Sequence, residues 1–228
     1  MEDKHQIIIT EDGSSTLIHP LLDESYHSIH GAIQESNHIF IDAGLKYWLN
    51  KSTQNKTISI LEIGFGTGLN ILLTIQVLRQ EKRKFQIHSI EKFPIGKEIS
   101  DQLNYGKILN QQQLFEQIHS LDWNQRETLS TNEAFIKEKV DLTNFECNTK
   151  YDVVYFDAFS PEKQQELWTG EIFRKLYACM NMGAVLTTYS AKGQVRRNMQ
   201  SAGFTVERIS GPPGKREMLR AIKPIKNL

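Results

Sequence analysis

The chain of 228 residues is poor in cysteine: Cys147 and Cys179 are the whole set. They form no C-x-x-C pair, which excludes a disulfide scaffold and a thiolate zinc site. Both are expected as free thiols in a reducing cytoplasm. Long apolar runs are missing too. No stretch approaches the roughly 18 residues that a membrane-spanning helix needs. The start, MEDKHQIIITEDG, is acidic and lacks the apolar core of a signal peptide. His19, His27, His30 and His38 match no common metal-ligand spacing, so no metal is expected. Net charge is absent as well: the formal total is +0. The balance hides an asymmetry. From Ala191 onward stand nine cations (Lys192, Arg196, Arg197, Arg208, Lys215, Arg216, Arg220, Lys223, Lys226) against two acids, Glu207 and Glu217. Nine less two gives +7 there and leaves −7 on the first 190 residues. Such a split marks a candidate polyanion-binding face.

What is present is a rhythm. From Thr57 onward strand-like and helix-like segments alternate. TISILEIG, FQIHSIEKF, YDVVYFDAF and GAVLTTYS read as strands. GTGLNILLTIQVLRQ, LWTGEIFRKLYACM and QVRRNMQSAGF read as helices, the last closed by Gly203 at C′. TVERIS and EMLRAIK, joined by GPPGK, predict a closing hairpin. A third strand is placed near Ala134 to Val140, within a Gln-, Asn- and Glu-rich insertion of helices over 97–145. The alternation predicts a doubly wound, mostly parallel α/β sheet. Residues 1–55 break the rhythm: a hairpin of QIIIT and STLIHP, then one or two helices over HSIHGAIQESNHIFIDAGLKYWLN. They are taken as an N-terminal appendage, and 56–228 as the main domain.

LEIGFGTGLN is the most informative stretch. A dinucleotide fold places a third glycine where Leu69 stands, and no Lys-Ser or Lys-Thr pair follows as in a phosphate-binding P-loop. The pattern is acid-x-G-x-G-x-G, running from Glu62 through Gly64, Phe65, Gly66 and Gly68. It resembles motif I of the S-adenosylmethionine-dependent methyltransferases. An acid suits a cofactor whose methionine part is cationic, and is unsuited to a pyrophosphate. Glu91 ends the second strand, where an acid accepts both ribose hydroxyls in open α/β sheets. Asp141 follows the third strand, as the acid near the adenine amino group in many such enzymes. Asn70 opens the helix after the loop and is a candidate for the cofactor carboxylate.

Several blocks fit one family together: HGAIQESNHIFI, LEIGFGTGLN, IEKFP, FDAFSPEKQQELW, TYSAKGQVRRNMQSAGF and GPPGKREMLRA. They span residues 30 to 221, in order. On these blocks the chain resembles the methyltransferase domain of MnmC, the bacterial tRNA wobble-uridine modification enzyme, and its stand-alone relatives. The resemblance implies a class I methyltransferase, Rossmann-like, with a mostly parallel seven-stranded sheet and the appendage above. It implies S-adenosyl-L-methionine as cofactor and the anticodon loop of tRNA as partner. The methyl acceptor would be the exocyclic amine of 5-aminomethyl-(2-thio)uridine. A chain of this length leaves no room for the FAD-dependent oxidase domain of the bifunctional enzymes, so upstream modification enzymes are expected to supply the amine. The family loop often carries Asn-Pro where Gln164-Gln165 stand here.

Asp157, after a strand that reads as buried on both faces, is the catalytic candidate. A carboxylate at that place is costly unless something pairs with it. A substrate amine is the proposed partner, aimed by N–H bonds to the carboxylate. Phe159 is placed to stack on the uracil ring. Tyr189 ends the next strand on the same crevice. Glu35 and His38, in QESNH, are candidates to close over the site. Arg196, Arg197, Lys215 and Arg216 are candidates for tRNA phosphates. Two rival readings remain: a small-amine methyl- or aminopropyltransferase of the same fold, and a non-catalytic RNA-binding module. The basic segment disfavours the first, and the intact acids and glycines disfavour the second.

Overall fold

The computed structural model describes residues 5–52 and 56–225. Lys226 of the basic segment lies outside the described residues. Strands β1 (Gln6–Ile9) and β2 (Ser15–His19) form the expected antiparallel hairpin, and β3 (Glu24–Ser25) extends it to three strands. Next comes one long helical run: α1 (Ala32–Ser36), a π-helical stretch (Asn37–Lys46) and α2 (Tyr47–Leu49). Apolar Ile39, Phe40, Ile41 and Leu45 of this run are buried in the core. Gly44 lets it approach the main sheet, since a Cβ there would lie 3.1 Å from the Thr187 hydroxyl.

The main sheet is built from β4 (Ile58–Ile63), β5 (Phe85–Glu91), β6 (Gln125–Ser130), β7 (Glu133–Lys139), β8 (Tyr151–Phe156), β9 (Met180–Thr188), β10 (Thr205–Ser210) and β11 (Glu217–Ile222). Its order is β10-β11-β9-β8-β4-β5-β7-β6. The five strands from β9 to β7 pair in parallel, while β11 and β6 run antiparallel to their neighbours at the two ends. Central β4 and β8 are buried at every position, as both-face coverage demands of apolar parallel strands. Helices α3 (Leu69–Gln80), α4 (Lys97–Ser100), α5 (Tyr105–Ile108) and α6 (Gln112–Ser120) connect the first half. A 3-10 turn (Gln165–Trp168), α7 (Gly170–Cys179) and α8 (Gly193–Ser201) connect the second. Two apolar clusters result: one holds the long helical run with α3 and α6, the other α7 and α8.

Two expectations need correction. The sheet has eight strands where seven were expected, because β6 joins its edge. Its QRETLS is polar on both faces, so hydrophobic periodicity cannot reveal it; the ladder with β7 holds it, through a turn at Asn132 with φ 73°. Cys147 and Cys179 are joined as a disulfide, their Cα atoms 5.8 Å apart, where free thiols were expected. The fold folds the 140s loop back onto the end of α7, which no spacing rule foresees.

Candidate active site

The parallel strands end along one edge of the sheet, and a cleft of about 540 Å³ opens there. The glycine loop between β4 and α3 forms its floor. Gly64 (φ 89°) has no room for a side chain: a Cβ would meet the Asp157 carbonyl oxygen at 2.6 Å. Gly68 (φ 75°) begins α3 in the left-handed region. Among the predicted residues, Gly64, Phe65, Gly66, Glu91, Asp141, Asp157, Phe159, Tyr189, Glu35 and Lys215 line this cleft.

Glu91 accepts hydrogen bonds from the Gly66 N–H (3.0 Å) and the Phe93 N–H (2.9 Å), one on each oxygen. Each oxygen keeps a lone pair for a further donor. Burial raises its pKa. Asp141 accepts from Lys92 Nζ at 2.7 Å and from the Thr143 N–H and hydroxyl. Burial pushes this carboxyl up, but the Thr143 donors and the Lys92 ammonium outweigh it and hold the pKa below the usual range.

Glu62 and Asn70 lie behind the loop. Glu62 is fully buried, and its Oε2 accepts from the Ser89 hydroxyl at 2.5 Å. Its Oε1 and the Asn70 Oδ1 are buried without a partner. Burial raises the Glu62 pKa well above the ordinary value, more than the Ser89 bond offsets. Asn70 Nδ2 donates to Asp157 Oδ2 at 2.8 Å, so Asn70 turns to the catalytic candidate. Burial pushes Asp157 up to about 7, against the opposing Asn70 bond.

The loop after β8 is closed from inside. The Phe159 N–H donates to Gln164 Oε1 (3.0 Å), and Trp168 Nε1 donates to the Phe159 carbonyl (2.9 Å). Gln164 thus supplies the loop closure at the position where the resemblance implied Asn-Pro. The Tyr189 hydroxyl donates to the Ala158 carbonyl at 2.9 Å. Lys215 points into the cleft. Its Nζ pairs with Glu35 Oε1 at 2.8 Å and lies 4.2 Å from the centre of the Tyr189 ring. Arg197 and Arg216 stay exposed and Arg196 half-buried, away from the cleft lining. His38 is also off the cleft, its Nε2 against the Ser210 carbonyl at 2.7 Å.

Sequence reasoning missed the contribution of the first sheet. Tyr26 lies over Gly66, where a Cβ would meet its ring at 3.0 Å, and packs edge-on to Phe159 with centroids 5.0 Å apart. His27 Nε2 meets the Thr67 hydroxyl at 2.6 Å. The Ser160 N–H and hydroxyl donate to the Glu24 carboxylate. These contacts join segments 40 to 136 residues apart, and no local pattern announces them. Among the described residues no group of three or more His, Cys, Asp or Glu side chains is placed to hold a metal ion, and no helix is long and apolar enough to cross a membrane.

A doubly wound sheet with a glycine floor, acids at two successive strand ends and a carboxyl after β8 defines a class I methyltransferase. Residues 102–224 match the family model of S-adenosyl-L-methionine-dependent methyltransferases, and the chain belongs to that family. It is 30% identical to MNMC2 from Aquifex aeolicus, whose structure superposes with a TM-score of 0.78, covering 99% of this chain and 74% of that one. It is 32% identical over 228 residues to the tRNA 5-methylaminomethyl-2-thiouridine biosynthesis bifunctional protein MnmC of Cupriavidus metallidurans, and 30% identical over 234 residues to that of Leptospira interrogans. The alignments cover 92% and 93% of this chain but 33% and 34% of those proteins, so the chain spans about a third of their length. Spermidine synthase from Thermotoga maritima shares the fold at 13% identity and a TM-score of 0.53. The cofactor of the family is S-adenosyl-L-methionine. The cleft suits it: positive-φ glycines leave the floor bare, Glu91 keeps acceptors free, and Asp157 faces the same space.

Proposed function

We propose that this protein transfers a methyl group from S-adenosyl-L-methionine to the exocyclic amine of 5-aminomethyl-(2-thio)uridine at the wobble position of tRNA, giving the 5-methylaminomethyl nucleoside. The single observation that carries the chemistry is Asp157, in the cleft beside the glycine floor and held by Asn70 Nδ2 at 2.8 Å. The MnmC relatives supply the substrate. Gly64, Phe65, Gly66 and Gly68 form the floor for the cofactor, Glu91 takes its ribose and Asp141 its adenine. Bound there, the cofactor supplies an electrophilic methyl.

An alkylamine like that of lysine has a pKa near 10.4, so presenting it neutral at pH 7 costs roughly 4 kcal/mol. The Asp157 carboxylate accepts N–H bonds from the nitrogen and aims its lone pair. A carboxyl near 7 is a better proton acceptor than one near 3.9, so Asp157 also receives the proton that the methylated nitrogen sheds. Asn70 holds Asp157 in place. Phe159 stacks on the pyrimidine and Tyr189 walls the far side. Glu35 fixes Lys215 inside the cleft, so Lys215 meets the base and leaves phosphates to Arg196, Arg197 and Arg216. His38 holds the 210s loop near this wall. The activity is cytoplasmic on this reading and follows the enzymes that install the aminomethyl group.

The test is nucleoside mass spectrometry of tRNA carrying the unmethylated aminomethyl nucleoside, incubated with protein and cofactor. The expected result is a gain of one methyl on that nucleoside. A gain on no nucleoside, with cofactor bound, overturns the tRNA assignment.

A further inference from the structure

Three of the large apolar side chains most open to solvent stand around a single opening. Leu21 is 76% exposed, Phe93 61% and Ile29 53%, and all three line the catalytic cleft. Phe93 follows Glu91 and belongs to the cofactor end. Leu21 and Ile29 come from the first sheet and its exit, on the substrate side. An exposed apolar lip on a binding cleft marks a partner that covers it.

The Leu21 side of the lip is tied to the cleft wall. Leu21 sits in the turn between β2 and β3, and the Leu21 and Leu22 N–H groups both donate to His19 Nδ1 at 3.2 Å. The same His19 ring stacks on Tyr26 at an interplanar angle of 24° and meets Phe159 edge-on, with centroids 5.3 Å apart. One imidazole therefore fixes the leucine turn against the aromatic wall of the cleft. Glu24, at the other end of the turn, bonds to Ser160 of the loop that carries Asp157 and Phe159.

We propose that Leu21 and Ile29 form an apolar lip, which packs against the face of an unstacked base flanking the target base of the RNA. This rests on the reading of the substrate as a tRNA loop. The lip is continuous with the proposed target-base pocket, so its occupant is attached to the target base. A phosphate gains nothing from Leu21 or Ile29, whereas the face of a base is apolar and suits both. Sequence-specific RNA recognition takes bases splayed out of single-stranded loops, and a loop opened to admit one base leaves its neighbour without a stacking partner. The lip replaces that partner, whatever base stands there.

The test compares wild type with Leu21→Ser and Ile29→Ser. Both side chains are exposed, so folding is unaffected, checked by unchanged melting and cofactor binding. Two substrates are used: an anticodon stem-loop with the aminomethyl nucleoside and 2-aminopurine beside it, and the free aminomethyl nucleoside. The expected result is a rise of about tenfold in KM for the stem-loop, with a smaller 2-aminopurine fluorescence change on binding. Turnover of the free nucleoside stays at the wild-type level. A stem-loop KM and fluorescence change within about twofold of wild type overturn the lip. Equal loss on both substrates overturns it too, because the cleft itself is then distorted. If wild type binds the stem-loop without methylating it, the functional reading fails, while weaker binding by the variants still supports the lip.

Discussion

A carboxyl group with a pKa near 7 is ionised in part at neutral pH, and this shapes what Asp157 does to the protein as well as to a substrate. Its unfolded value is about 3.9, and burial raises the folded value to about 7. Between these the folded state holds more protons than the unfolded one, so stability falls as pH rises from about 4 to about 7. The full shift is ~4 kcal/mol, discounted to roughly 1–2 kcal/mol because the side chain is half-buried. Asp157→Asn removes this term. It should melt roughly 2–6 °C higher than wild type at pH 8, with no gain at pH 4, measured by calorimetry without cofactor. Asp157→Ala should keep cofactor affinity and lose most turnover, at least about 100-fold in kcat; near-normal kcat makes the residue merely structural. Gly64→Ala forces a Cβ into the left-handed region and against the Asp157 carbonyl. It should cost about 1–3 kcal/mol by chemical denaturation and lower cofactor affinity.

Between elements, the decisive contact is the tie from β3 to the loop after β8. Glu24 receives the Ser160 N–H and hydroxyl, while Gln164, Trp168 and Tyr189 hold the neighbouring Ala158 and Phe159 backbone. Glu24→Ala should speed amide exchange at Ser160 and raise KM for the RNA several-fold. Melting should move by less than about 3 °C, since a half-buried loop contact adds little to global stability. Unchanged exchange at Ser160 shows that the loop's other ties hold it without Glu24. The π-helical stretch turns Asn37–Lys46 so that Ile39, Phe40 and Ile41 are all buried. Three consecutive buried side chains exceed what one face of an α-helix covers, and the wider π turn accommodates them.

Across the whole molecule, charge separates by role. Lys215 is neutralised by Glu35 inside the cleft, and Arg220 by Glu207. Lys192 pairs with Glu162 and Arg208 with Glu217. Glu35 and Glu162 therefore offset part of the +7 of the C-terminal segment, and Arg196, Arg197 and Arg216 are left as the phosphate candidates. Each of Arg196→Ala, Arg197→Ala and Arg216→Ala should lower the slope of log affinity against log salt for tRNA by about 1. Lys215→Ala should leave that slope unchanged and reduce turnover instead. A Lys215 variant with a shallower slope places that side chain on phosphate.

By itself the sequence determined the elements whose signals are local. Apolar runs made β4 and β8, positive-φ glycines made the cleft floor, and turn residues closed both hairpins. Carboxyls at strand ends were legible because strand ends are. Tertiary structure decided the rest. QRETLS became a strand by pairing with β7, Cys147 met Cys179 across a folded loop, and Lys215 turned inward to Glu35. Asn70 reached Asp157 because α3 starts beside β8, and Tyr26, His19 and Leu21 reached the cleft because the first sheet packs on the glycine loop. Apart from β6, whose partner is the next strand, the partner is distant in sequence. Contacts of that kind leave no period, spacing or turn signature in the chain, and exist only once the sheet has brought its edge together.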